Sequence, residues 1–196
     1  MSDQPWPPPL TWPDAALTDG VVCLDRFTEA DVERIVVGCT DADSQRWLPL
    51  PSPYGEVEAL SFVRSREAAA RNGSELTFAV RDAVDGVVAG AMGLSLRGYR
   101  HEADIGYWTA PDRRGRGWTA RAVRLVARYA LTTMPLRRIE ILAAVGNVRS
   151  RGVAEAAGAT FEGIRRNGLP SGVVEDAAVY SLIRKDIDGL ERPVGR

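Results

Sequence analysis

The stretch from Ala103 to Leu131 constrains the fold of this chain more than any other. An apolar, strand-like run (Ala103 to Thr109) leads through Asp112-Arg113-Arg114-Gly115-Arg116-Gly117-Trp118-Thr119-Ala120 into a helical pattern. In that pattern Ala122, Leu125, Val126 and Tyr129 share one face. Two closely spaced glycines at a helix N-terminus let the backbone approach a ligand and present free N–H groups to it. The same helix end carries partial positive charge and attracts phosphate. Arg113, Arg114 and Arg116 add full charges able to pair with phosphate oxygens. The combination reads as a pyrophosphate cradle. A Walker A loop is excluded because no Gly-Lys-Ser/Thr follows. Gly115-x-Gly117-x-x-Ala120 also matches the dinucleotide fingerprint, but that motif begins at a strand end, and here Pro111 to Arg114 intervene.

The rest of the chain reads as alternating elements. Residues 1–20 are rich in Pro, with Trp6 and Trp12, and suggest an extended arm rather than a regular element. Val21 to Phe27 reads as a strand. Thr28-Glu29-Ala30-Asp31 resembles a capping box that opens a helix to about Cys39. Residues 41–55 read as a Pro- and aromatic-rich loop, and Glu56 to Arg71 as a helix stopped by Asn72-Gly73. Leu76 to Arg81 and Val87 to Leu96 form a hairpin around Asp85-Gly86. Further strands are expected at 103–109, 138–145, 159–165 and 175–183, with helices at 120–131 and 148–157. The order β-α-α-β-β-β-α-β-α-β-β implies an α/β (α+β) mixed sheet with helices on both faces. The division is an arm (1–20), one domain (21–186) and a tail (187–196).

Composition narrows the function classes. A net charge of −1 argues against nucleic-acid binding driven by overall charge. All but one of the 25 basic residues are arginine, Lys185 being the exception, so an arginine alone is a weak signal here. Cys23 and Cys39 suggest neither a disulfide scaffold nor a metal cluster. With His101 the only histidine, a triad or a His-rich metal site could form only around it, and it sits in a polar turn. No apolar run of signal or membrane-spanning length is present, so a cytoplasmic protein without membrane association is expected.

Arg114-Gly115-Arg116-Gly117-Trp118-Thr119 resembles the Arg/Gln-x-x-Gly-x-Gly/Ala cofactor loop of the GNAT-superfamily acyl-CoA N-acyltransferases, with Thr119 departing at the last position. Asp104-Ile105-Gly106-Tyr107-Trp108 resembles that family's Glu-Ile-Gly-Tyr-Trp strand. Asn147-x-x-Ser150 followed by Gly158 resembles the helix that lines its pantetheine arm. Phe161-Glu162-Gly163, Glu175-Asp176 and Tyr180-Ser181-Leu182 resemble its terminal strands. The match is similar in order and spacing from about Val21 to Asp186, and lies nearest the ribosomal-protein N-terminal acetyltransferase (RimJ/RimL-type) branch.

The resemblance implies a central, mostly antiparallel sheet with two splayed parallel strands. It implies transfer of acetyl from acetyl-CoA to a primary amine, on a protein N-terminus or a small molecule, in a ternary complex and without a metal. The pyrophosphate would lie on Arg113 to Thr119. The pantetheine would lie between the strands, against Tyr107, Trp108, Thr109, Asn147 and Ser150. The tyrosine acid of many relatives is absent, its place taken by Ala154, and Ser150 is the expected replacement. Glu162 is the matching base, with Asp104 and Glu102, on one strand face, as competitors. Trp47 and Tyr54 would wall the acceptor site or pin their loop to the core, and Glu102 is a third acceptor-side residue. Relatives often form homodimers. A non-catalytic acyl-CoA-binding or sensing module on the same fold is the alternative.

Overall fold

The computed structural model describes residues 9–97, 101–169 and 174–188. Among the described residues, eight strands form one sheet in the order β1-β2-β3-β4-β5-β6-β8-β7. In chain order they are β1 (Leu17–Thr18), β2 (Val22–Arg26), β3 (Glu75–Asp82), β4 (Val88–Leu96), β5 (Glu102–Thr109), β6 (Arg138–Ala144), β7 (Thr160–Arg165) and β8 (Ala177–Leu182). The helices are α1 (Val32–Thr40), α2 (Ala42–Trp47), α3 (Glu56–Arg71), α4 (Trp118–Thr133), α5 (Val148–Ala156) and α6 (Arg184–Asp188). Every pairing is antiparallel except β5 with β6.

Alternation along β3 explains the two layers. Leu76, Phe78 and Val80 pack with Met92, Leu94, Ile105 and the apolar face of α4 in the main core. On the other face a smaller cluster of Ile35, Cys39, Ala59 and Val63 seats α1 and α3, with the Trp108 ring against it. A Cβ at Gly38 would come within 2.1 Å of that ring, so α1 approaches β5 closely only because residue 38 is glycine.

The parallel pair fixes the site. β5 and β6 are in register only at Glu102–Arg138, Ala103–Ile139 and Asp104–Glu140. Beyond these, β5 stays paired to β4 as far as Thr109–Gly90, and β6 to β8 as far as Ala144–Ala177. The two halves of the sheet therefore diverge and leave a V-shaped gap.

Three elements were not expected from sequence. Residues 41–55 contain α2, whose N-cap Asp41 accepts from Ser44 N–H at 3.1 Å. The arm contributes β1, and α6 follows the last strand. The described part of the arm is docked. Leu10 is buried, its N–H donating to Gly73 C=O at 2.8 Å. Trp12 meets Phe78 edge-on at 4.7 Å under the Arg26 guanidinium. Residues 1–8 of the expected arm, 98–100, 170–173, and 189–196 of the expected tail lie outside the described residues. Among the described residues no helix is long and apolar enough to cross a membrane.

Candidate active site

A cleft of about 1390 Å³ runs along the splay, from the turn before α4 to the N-terminus of α5. Its phosphate-sized end is built by the glycine turn. Gly115 and Gly117 adopt φ of +75° and +72°, the left-handed region open to glycine, and a Cβ on either would meet nothing within 4 Å. Gly117 caps α4 without a side-chain acceptor, and the first backbone bond of the helix is Arg121 N–H to Gly117 C=O. Among the described residues the N–H groups of 115–120 have no backbone acceptor. Six consecutive donors at a positive helix end make an anion nest, which fits a pyrophosphate.

The three arginines are not equivalent. Arg113 reaches back to the β3–β4 turn, with Asp82 at 3.1 Å and Asp85 at 3.0 Å, and so pins the loop. Arg114 is held by Asp41 at 2.5 Å and Asp43 at 3.3 Å, and donates to Thr109 C=O at 3.1 Å. Arg116 lies over the Trp118 ring at 4.9 Å, and among the described residues it has no carboxylate partner. Its charge is the one left for a phosphate. Thr119 shares a 2.7 Å hydrogen bond with Thr109, which ties the start of α4 to the end of β5. The hydroxyl that departs from the family pattern thus has a partner, and the Thr119 N–H stays in the nest.

Backbone direction in the gap follows from two bonds. Ala110 N–H donates to Ala89 C=O at 2.8 Å, and Glu102 C=O accepts from Arg97 N–H at 3.0 Å. Even-numbered residues of β5 therefore face β4. By alternation Ile105, Tyr107 and Thr109 direct their amides into the gap. Across it, Asn147 caps α5 by accepting from Ser150 N–H at 3.1 Å. The Tyr107 hydroxyl donates to Ser150 C=O at 3.0 Å and lies 3.1 Å from Ser150 Oγ. Ala154 is fully buried in the main core.

The three candidate bases have different surroundings. Asp104 lines the cleft where the splay begins. Burial raises its pKa, more than the hydrogen bond from Arg97 at 2.5 Å lowers it, and Glu140 alongside raises it further. Glu162 lies outside the cleft lining. It is clamped by both Arg138 nitrogens at 2.5 and 2.6 Å and accepts from Ser181 Oγ at 2.6 Å. Arg138 chiefly lowers its pKa, against a smaller opposing effect of burial. Glu102 also lies outside the lining. Buried Glu140 takes Arg97, Arg138 and Arg165, so the closed end of the V is a charge network.

On the acceptor side, α2 forms one wall through Asp43, Ser44, Arg46 and Trp47. The Trp47 ring lies 3.4 Å from where a Cβ on Gly146 would be, so it spans from α2 to the end of β6. Tyr54 instead packs against the α1–α3 cluster, outside the lining, with its hydroxyl on Cys39. Trp108 contributes backbone to the cleft while its ring faces α1. Sequence reasoning placed Trp47 at this wall but read its segment as a loop, missing helix α2, although Asp41 ahead of Ala-Asp-Ser is a readable helix N-cap. It also missed Arg97 on Asp104, for which no local signal exists. Among the described residues no group of three or more His, Cys, Asp or Glu could hold a metal ion.

The acetyltransferase (GNAT) domain family matches residues 22–160. The Bacillus subtilis protein named "Putative ribosomal N-acetyltransferase YdaF" is 38% identical over 107 residues, 54% of this chain and 58% of that protein. The B. subtilis "Probable N-acetyltransferase YjcK" is 36% identical over 115 residues, 57% of this chain and 64% of that protein. The match thus spans roughly three-fifths of the length of both relatives. The solved structure of Mycobacterium smegmatis RimJ in complex with CoA-disulfide superposes with a TM-score of 0.75 at 25% identity, covering 89% of this chain and 90% of that one.

Proposed function

The chain belongs to the GNAT acetyltransferase family, and from that premise we propose that it transfers acetyl from acetyl-CoA to a primary amine by direct attack in a ternary complex. The observation that carries this reading is one continuous cleft joining the amides of 115–120, which have no backbone acceptor among the described residues, to Asp104. The nest and Arg116 would hold the pyrophosphate. The gap-facing amides of β5 would receive the pantetheine and polarise the thioester carbonyl. The thioester supplies an activated acetyl group; the chain supplies position and proton handling.

An alkyl or N-terminal amine is largely protonated at neutral pH and must lose a proton before it attacks. Asp104 suits that role better than Glu162, because it lines the cleft with a raised pKa while Glu162 is engaged by Arg138 and Ser181. Ser150, in the first turn of α5, lines the cleft and would donate to the departing sulfur. For the acceptor we favour the N-terminal amine of a protein. The cleft spans about 1390 Å³, and one relative carries the name "Putative ribosomal N-acetyltransferase YdaF". The buried Ala154, where relatives offer a tyrosine, favours a second reading as an acyl-CoA-binding module without turnover.

The test is thiol release from acetyl-CoA, read with a thiol-reactive dye, against peptides with free N-termini and small amines. Release that depends on peptides with free N-termini is expected. CoA binding without release for any acceptor would favour the binding module.

A further inference from the structure

The Tyr107–Ser150 contact bridges the two sides of the gap and is more specific than packing requires. The phenol oxygen lies 3.0 Å from Ser150 C=O and 3.1 Å from Ser150 Oγ, and both side chains line the cleft. A phenol has one proton and so does a serine hydroxyl. If Tyr107 donates to Ser150 C=O, its oxygen can accept from Ser150, whose only hydrogen is then spent on the phenol. If Tyr107 donates to Ser150 Oγ, the serine hydrogen is free to point into the cleft. Which oxygen receives the tyrosine proton therefore sets whether Ser150 can serve a ligand.

We propose that Tyr107 is a positioning residue that donates to Ser150 Oγ once acetyl-CoA is bound, turning the serine hydrogen toward the thioester sulfur. The proposal rests on the acetyltransferase reading above. Burial, the largest influence, pushes the Tyr107 pKa up to about 12 against the opposing Ser150 hydrogen bond. A thiol is more acidic than that by roughly three units. The proton therefore stays on Tyr107, which orients the serine and does not protonate the product. As the amine nitrogen bonds to the carbonyl carbon, the C–S bond breaks and its electron pair goes to sulfur. Ser150 holds that thiolate by a hydrogen bond. The ammonium loses two protons on the way to the amide: Asp104 takes the first before attack, and water takes the second as the amide forms. The thiolate takes a proton from water on release, and Asp104 returns its own to water. Ala154, fully buried in the main core, leaves this route without competition from its own position.

The test compares Tyr107→Phe, Ser150→Ala and the double variant of the full chain, with an acceptor that supports wild-type turnover. Tyr107→Phe should lower kcat at least tenfold while KM for acetyl-CoA stays within about twofold. The double variant should turn over within about twofold of Ser150→Ala, because both changes remove one donor. Tyr107→fluorotyrosine, nearly isosteric and a stronger donor, should keep or raise kcat. Wild-type kcat in Tyr107→Phe, losses that multiply in the double variant, or a raised KM with unchanged kcat would each overturn the proposal. Calorimetric CoA affinity of each variant reports its fold, and if Tyr107→Phe does not fold, the fluorotyrosine variant decides, a fall in kcat counting against. A wild type silent toward every acceptor would remove the acetyltransferase reading itself, and the inference with it.

Discussion

Gly117 is held at φ +72°, within the run 115–120 whose amides have no backbone acceptor among the described residues, and nothing lies within 4 Å of where its Cβ would be. An L residue in that conformation costs about 1–2 kcal/mol. A glutamate there would also place an anion in the nest. Gly117→Glu should fold with a somewhat lower Tm and show no calorimetric CoA binding; wild-type affinity in that variant would disprove the cradle. Asp104 gives a second residue-scale prediction. Its raised pKa moves the acid limb of kcat/KM to higher pH than an ordinary aspartate would give, because activity is lost as pH falls through the pKa of a required base. Asp104→Asn should lower kcat/KM by about 10²–10⁴ and remove that limb. Glu162→Gln should leave kcat within about threefold, the general-base factor being absent. The reverse pattern would make Glu162 the base. The glycines, Asn147 and Ser150 were readable because turn conformation and helix capping are local. The ion pairs that separate Asp104 from Glu162, on which the proposed choice of base rests, were not, since sheet register decides which arginine meets which carboxylate.

At the scale of elements, α2 joins the acceptor wall to the cofactor loop. Asp41 both caps it and takes Arg114, while Asp43 takes Arg114 and Arg149. Burial opposes ionisation of Asp41, but the hydrogen bonds from Arg114 and Ser44 N–H prevail and lower its pKa. A carboxylate with a depressed folded-state pKa contributes stability above its unfolded value, near 3.9, and loses it as pH falls through the folded value. Asp41→Ala should therefore cost about 1–2 kcal/mol at neutral pH. Denaturant titrations should show the gap from wild type narrowing in acid, and a gap unchanged with pH would refute the ionic part. Helix α4 was legible from an apolar stripe that runs for several turns, and α3 from the Asn72-Gly73 stop after it. The six-residue α2 offered only a cap, and its position depends on Arg114, seventy residues away in sequence, as much as on its own residues.

Over the whole molecule, the splay is the feature that makes a fold into a site, and it was legible only through family resemblance. The β5–β6 pairing stops at Asp104 and Glu140 because each strand follows its own outer neighbour, a relation set between residues far apart in sequence. The arm shows the same limit. Its proline content reads as extended chain, yet Trp12 closes the main core over Phe78. Trp12→Ala should cost about 3 kcal/mol in denaturant unfolding, and a loss under about 1 kcal/mol, within the range of a surface change, would show the arm to be a decoration.

The central claim is direct transfer within a cleft that holds thioester and amine together. The measurement that tests it most directly is an initial-rate matrix in which acetyl-CoA and a peptide with a free N-terminus are varied together, the product being followed by mass. Intersecting double-reciprocal lines with acetyl on the N-terminal amine are expected. Parallel lines, which signal an acetylated enzyme, or no acetylated peptide at any concentration pair, would contradict the account.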